Sequence, residues 1–160
     1  MEFRKVHMRA DDPRYFSRDS VKSATYLFAA EKSAAYLAGG TDLMPLSKNG
    51  LCRPSCLIDL EKVHDLKMIE DRGDALFIGA MADLAGVAEE KTINRLFQSV
   101  AHAARSVGSP QIRNMATIGG NLLQERRCVY LNQSEFWRGN IEPCHRLGGK
   151  GCYQIPKAGK

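Results

Sequence analysis

Leu37-Ala38-Gly39-Gly40-Thr41-Asp42-Leu43 is where an apolar run, Ala34 to Ala38, meets a glycine pair and a helix start. A short continuous apolar segment that ends on glycine reads as a buried strand. Thr41 or Asp42 can then cap a short helix to about Lys48, with Pro45 tolerated in its first turn. Upstream, Ser20 precedes Val21, Ala24, Leu27 and Phe28 at helical spacing, which predicts a helix from about Ser20 to Glu31. Downstream, Cys56-Leu57-Ile58-Asp59-Leu60 reads as a second buried strand. Strand, glycine turn, helix and strand make a small parallel α/β unit.

The chain then changes character. Leu66-Lys67-Met68-Ile69-Glu70 and Ala75-Leu76-Phe77-Ile78-Gly79 flank Asp71-Arg72-Gly73-Asp74, a hairpin signal. Asp83 is a candidate cap for a short helix to about Glu90. A longer helix is expected from Ile93 to about Val107, with Ile93, Leu96, Phe97, Val100, Ala103 and Ala104 on one face. Gly108-Ser109-Pro110 stops it. A second glycine loop follows at Thr117-Ile118-Gly119-Gly120-Asn121. From Arg126 onward the chain is polar and shows no sustained period, so it reads as a long loop.

Glycine pairs of this kind suit the cradling of an anion. Glycine leaves backbone N–H groups unobstructed and lets a phosphate approach closely. In the first loop Thr41 adds a hydroxyl, and Asp42 can cap the helix or accept from ligand hydroxyls. Each loop on its own suits an ordinary turn or bulge better than a ligand site. The spacing does not match G-x-G-x-x-G, which argues against a Rossmann dinucleotide site.

The 160 residues carry a formal net charge of +5, with 44% hydrophobic and 26% charged residues, as in a globular chain. Lys and Arg are scattered and Arg126-Arg127 is the densest cluster, with no interleaved aromatic stripe, so nucleic acid is not expected as a partner. No apolar run reaches membrane-spanning length, and Met1 to His7 lacks the apolar stretch of a secretory signal. The expected address is cytoplasmic. Five cysteines in such a chain favour metal or cluster ligation over disulfides. Cys128, Cys144 and Cys152 are spaced 16 and 8 positions apart, without the close pairs of a zinc site. Cys52 and Cys56 read as structural.

As an ordered set, these segments resemble a known family. Leu37 to Leu43, Leu57-Ile58-Asp59-Leu60, Ile78-Gly79-Ala80, Gly108 to Asn114 and Thr117 to Asn121 are similar to the FAD-binding subunit of molybdenum hydroxylases, the xanthine dehydrogenase and carbon monoxide dehydrogenase group. The resemblance implies an α+β, FAD-binding PCMH-type fold like that of vanillyl-alcohol oxidase. It divides the chain into a small N-terminal α/β lobe (1–60), a second α+β lobe (61–125) and a cysteine-bearing loop (126–160). It also implies that Leu37, Ala38, Gly39, Gly40, Thr41 and Asp42 contact the FAD diphosphate from one side. Thr117, Ile118, Gly119, Gly120 and Asn121 would contact it from the other.

The tail around Cys128, Phe136-Trp137-Arg138, Cys144 and Cys152 resembles the insertion of the 4-hydroxybenzoyl-CoA reductase β subunit. That resemblance implies a [4Fe-4S] cluster on Cys128, Cys144 and Cys152, with a fourth cysteine just past Lys160. Tyr130, Phe136 and Trp137 could shield such a cluster from water, and suit simple loop packing equally well. The implied role is an electron-transfer subunit, partnered by a molybdenum-cofactor subunit and a [2Fe-2S] subunit, with ferredoxin as a candidate donor. The alternatives are a xanthine, aldehyde or carbon monoxide dehydrogenase-type flavoprotein without the extra cluster, and a non-enzymatic fragment.

Overall fold

A strand whose Cys56, Leu57 and Ile58 are all buried, with Asp59 at its end, takes the middle of a three-stranded sheet. The computed structural model describes residues 12–125 and 127–155. Met1 to His7, Arg126 and Lys160 lie outside them. Strands β1 (Arg14–Ser17), β2 (Ala34–Leu37) and β3 (Cys56–Asp59) run parallel in the order β1-β3-β2. Helix α1 (Val21–Ala30) links β1 to β2, with the Ser20 hydroxyl accepting from the Ser23 N–H at 3.3 Å. Helix α2 (Leu43–Lys48) links β2 to β3. Cys56 and Ile58 are fully buried and join Ala24 in one small core, flanked by Phe16, Leu27, Ala34 and Leu60. The expected parallel unit is present. β1 was not expected, because Arg14-Tyr15-Phe16-Ser17 is an edge strand with its first two residues exposed and carries no apolar run.

The second half builds around a different core. Strands β4 (Ile69–Asp71) and β5 (Leu76–Ile78) form the expected antiparallel hairpin, its turn tightened by the Gly73 N–H donating to Asp71 Oδ1 at 2.9 Å. Leu66 falls instead in a 3-10 turn, His64–Leu66. Asp83 caps α3 (Leu84–Glu89), its carboxylate accepting from the Gly86 N–H at 2.7 Å.

The expected single helix from Ile93 to Val107 is two helices, α4 (Lys91–Leu96) and α5 (Gln98–Ser106), broken at Phe97 with φ −132° and ψ 52°. The break resets the helical phase. Ile93, Ala101 and Ala104 become buried together against α3, while Leu96 and Phe97 stay exposed. Arg105 fixes the fold-back by donating to the Ala88 carbonyl and to Asn94 Oδ1, both at 2.5 Å. The Asn94 amide also donates to Ala88 O and Glu90 O. Beyond Gly108 the breaker segment forms α6 (Pro110–Arg113), capped by Ser109 with proline in its first turn. Helix α7 (Ile118–Leu123) follows.

The tail is ordered without being regular. It contains α8 (Glu135–Arg138), a 3-10 turn at His145–Leu147, and a bridge between Cys144 and Gly151. Tyr130 packs between Tyr153 (centroids 5.0 Å apart) and Trp137 (6.3 Å), so aromatic contact holds the segment together. Phe136, expected to join such a shield, is 85% exposed; Tyr153 stands in its place. Among the described residues no helix is long and apolar enough to cross a membrane.

Candidate functional site

The first loop leaves β2 at Leu37 and passes directly against the backbone that leads into the second. A Cβ on Gly39 would lie 1.6 Å from the Met115 carbonyl oxygen and 3.2 Å from the Ala116 nitrogen. Only glycine permits that approach. Gly40 follows with φ +70°, in the left-handed region. Helix α2 starts where Met44 N–H donates to Gly40 O at 3.1 Å. The N–H groups of Gly39, Gly40, Thr41, Asp42 and Leu43 have no acceptor among the described residues. These are the free donors that an anion cradle requires. Neither Thr41 nor Asp42 caps α2 through its side chain, contrary to expectation. Asp42 is instead engaged by Arg127.

The second loop is built differently. Thr117, 6% exposed, is the N-cap of α7, its hydroxyl accepting from Gly120 N–H at 3.2 Å and its carbonyl from Asn121 N–H at 2.9 Å. Ile118 N–H donates to Ala82 O and Gly119 N–H to Ala80 O, both at 2.9 Å. A Cβ on Gly119 would sit 2.7 Å from that Ala80 oxygen, which explains the glycine by close packing rather than by ligand approach. The expected row of free amides is therefore absent from this loop, because the chain's own carbonyls and the Thr117 hydroxyl take those of Ile118 to Asn121. Its offering to a ligand is the Thr117 hydroxyl proton and the Asn121 side chain, which Gln124 steadies at 3.0 Å.

Both loops line one cavity of about 720 Å³, within the range of cofactor sites. Ala38, Gly39, Gly40, Thr41 and Asp42 face it from the first loop, and Thr117, Gly119, Gly120 and Asn121 from the second. Two expected members do not line it. Leu37 ends β2, its carbonyl accepting from Leu60 N–H, and Ile118 packs on the second core. The tail adds residues that the sequence reading missed, Arg127, Arg138 and Arg146 among them. The pair Arg126-Arg127 was the available signal. Arg138 Nη1 donates to Leu131 O and Gln133 O, and Arg146 pairs with Glu125. The residues thus fit an anionic dinucleotide: free amides on one wall, a hydroxyl on the next, and guanidinium groups on the third.

The cysteines do not fit the expected cluster. Among the described residues no three His, Cys, Asp or Glu side chains are placed to hold a metal ion, so Cys128, Cys144 and Cys152 do not form a ligand set. The Cys128 sulfur faces the Gln154 amide at 3.9 Å, Cys144 is tied by its bridge to Gly151, and Cys152 is exposed. The backbone N–H of Leu131 chiefly holds the Cys128 thiol below its ordinary pKa, helped by Tyr130 N–H, Gln154 and the Arg146 charge and opposed by partial desolvation. Burial raises the Cys56 thiol, in keeping with a structural role. Cys52 lines the cavity. Because the thiolate is the nucleophile, Cys128 is expected to alkylate with iodoacetamide at a rate whose pH midpoint lies below that of an ordinary thiol. Cys56 should stay unmodified until denaturant is added. Site-resolved mass spectrometry checks both, and a Cys56 that reacts first would contradict the burial of β3.

Comparison with known proteins gives the same frame. The family model described as the FAD binding domain in molybdopterin dehydrogenase matches residues 6–138. The nicotine 6-hydroxylase medium subunit of Paenarthrobacter nicotinovorans is 34% identical over 109 residues, covering 68% of this chain and 38% of that protein. The aldehyde oxidoreductase FAD-binding subunit of Escherichia coli is 36% identical over 120 residues, covering 74% and 36%. Among solved structures, carbon monoxide dehydrogenase from Hydrogenophaga pseudoflava superposes with a TM-score of 0.68 at 31% identity, over 72% of this chain and 40% of that one. The chain thus spans less than two fifths of the length of these curated relatives. The expected α+β fold of the FAD-binding PCMH type is borne out by this likeness. With two glycine loops on one cavity and a family match across most of its length, the chain belongs to the FAD-binding domains of the molybdopterin dehydrogenases.

Proposed function

We propose that this chain holds the diphosphate of FAD in the cleft between its glycine loops and serves as the flavin-binding part of a molybdenum-containing oxidoreductase. The observation that carries the reading is the convergence of the two loops: Gly39 abuts Met115, and both loops face one cavity. The free amides of Gly39 to Leu43 would receive the diphosphate, with Thr117 and Asn121 opposite. Bound FAD would supply one- and two-electron redox chemistry. The chain's own work is to orient the cofactor, neutralise its phosphates and exclude water from one side of it. The proposed divisions are lobes 1–60 and 61–125 and a cysteine-bearing loop, 126–160, whose described part lends Arg127, Arg138 and Arg146 to the cavity as a third wall.

In this reading the partners are a molybdenum-cofactor subunit and a [2Fe-2S] subunit, the address is cytoplasmic, and substrate never touches this polypeptide. The names of the relatives, nicotine 6-hydroxylase medium subunit and aldehyde oxidoreductase FAD-binding subunit among them, support membership in such an assembly. The finer form of the proposal is a 4-hydroxybenzoyl-CoA reductase-like subunit with a [4Fe-4S] cluster and a ferredoxin donor. Its support is the spacing of Cys128, Cys144 and Cys152, 16 and 8 positions apart, which the tail would have to draw together around the cluster. Iron and acid-labile sulfide measured after anaerobic reconstitution test that form; neither being retained leaves the dehydrogenase-type flavoprotein. Quenching of flavin fluorescence during titration with FAD tests the main reading, which expects saturable one-to-one binding. Binding that survives unchanged when Thr117 is replaced by valine and Thr41 by valine together would count against it.

A further inference from the structure

The glycine loops offer amides and hydroxyls to an anion but no charge, and one of them carries a carboxylate. Asp42 lines the cavity and caps nothing. A carboxylate beside a diphosphate opposes binding unless something cancels it. Arg127 supplies that cation from the tail, far along the chain. Its Nε lies 3.0 Å and its Nη2 2.9 Å from the same carboxylate oxygen, Asp42 Oδ1. The Nη1 group makes no hydrogen bond among the described residues, and Arg127 itself lines the cavity.

We propose that Arg127 is a further cofactor-binding residue, which neutralises Asp42 and directs its remaining guanidinium N–H groups to the diphosphate of the bound dinucleotide. The inference rests on reading the cleft as the FAD site and adds a third wall to it. The other two arginines on this wall are already committed, Arg138 to two backbone carbonyls and Arg146 to Glu125. The Asp42 pair is exposed, with 66% of the Arg127 side chain and 29% of the Asp42 side chain accessible, so it adds little to folding. The guanidinium can therefore move between carboxylate and phosphate at small cost. Its planar fork matches phosphate oxygens better than an ammonium does.

The test uses three ligands with the full 160-residue chain. ADP carries the diphosphate without the flavin, riboflavin carries the flavin without phosphate, and FAD carries both. Arg127→Ala is expected to weaken FAD and ADP by the same factor, about ten- to hundredfold, and to leave riboflavin and the melting temperature unchanged. Arg127→Lys should fall between, keeping charge without the fork. Adding Asp42→Asn to Arg127→Ala should recover only part of the ADP affinity. Full recovery would reduce Arg127 to a counterion of Asp42 and overturn the direct contact, as would unchanged ADP affinity in Arg127→Ala. Failure of the unaltered chain to bind either FAD or ADP would instead remove the cleft reading itself, and the inference with it.

Discussion

Replacing Gly39 by alanine should lower the unfolding free energy by about 3 kcal/mol and weaken FAD by roughly a hundredfold or more. The new methyl would point at a backbone carbonyl, Met115 O, only 1.6 Å away. A side chain in the way could change rotamer; a carbonyl in the run from α6 to α7 cannot move without shifting Ala116 and Thr117. The two loops would be pushed apart, and the cavity between them would open. Gly151→Ala is the matched control, because nothing lies within 4 Å of the methyl it would add. Urea denaturation and flavin fluorescence, run on both variants, check the prediction. If Gly39→Ala matches Gly151→Ala in both, the loops do not abut.

Ile93→Ala should cost about 3 kcal/mol, within the range for deleting a fully buried branched side chain. Ile93 is completely buried where α3, α4 and α5 meet, beneath the second loop. Leu96→Ala, one turn further along α4, should change stability by about 0.5 kcal/mol or less, since Leu96 is 57% exposed. The contrast separates two helices from one. A continuous helix through Phe97 would bury Leu96 beside Ile93, and the two variants would then lose comparable stability. Equal losses in urea titrations of the two proteins would contradict the break.

Much of the fold was legible because local chemistry and tertiary placement agree. Cys56-Leu57-Ile58 could only be an inner strand, and Asp71-Arg72-Gly73-Asp74 could only turn. The Ser20 and Asp83 caps are local hydrogen bonds that depend on nothing distant. The failures share a cause. Whether Phe97 breaks a helix depends on Arg105 reaching Ala88 and Asn94, which no window of sequence displays. β1 is held by its parallel register with β3, not by its own pattern.

The site divides in the same way. A glycine pair marks a tight place but not its purpose. At Gly39 and Gly40 the amides are left free, whereas at Gly119 the glycine serves the packing on Ala80. Arg127 was visible only as half of a basic pair, and its meeting with Asp42 is a product of the tail folding back. The spacing of Cys128, Cys144 and Cys152 suggested ligands, yet no group of three such side chains is placed to hold a metal among the described residues.

Diffraction from crystals of the chain grown with FAD tests the whole account most directly. Diphosphate oxygens are predicted within hydrogen-bond distance of the amides of Gly39 to Leu43, with the Thr117 hydroxyl on the opposite side. A cofactor whose diphosphate touches only one of these segments, or lies outside the cavity they share, would contradict it.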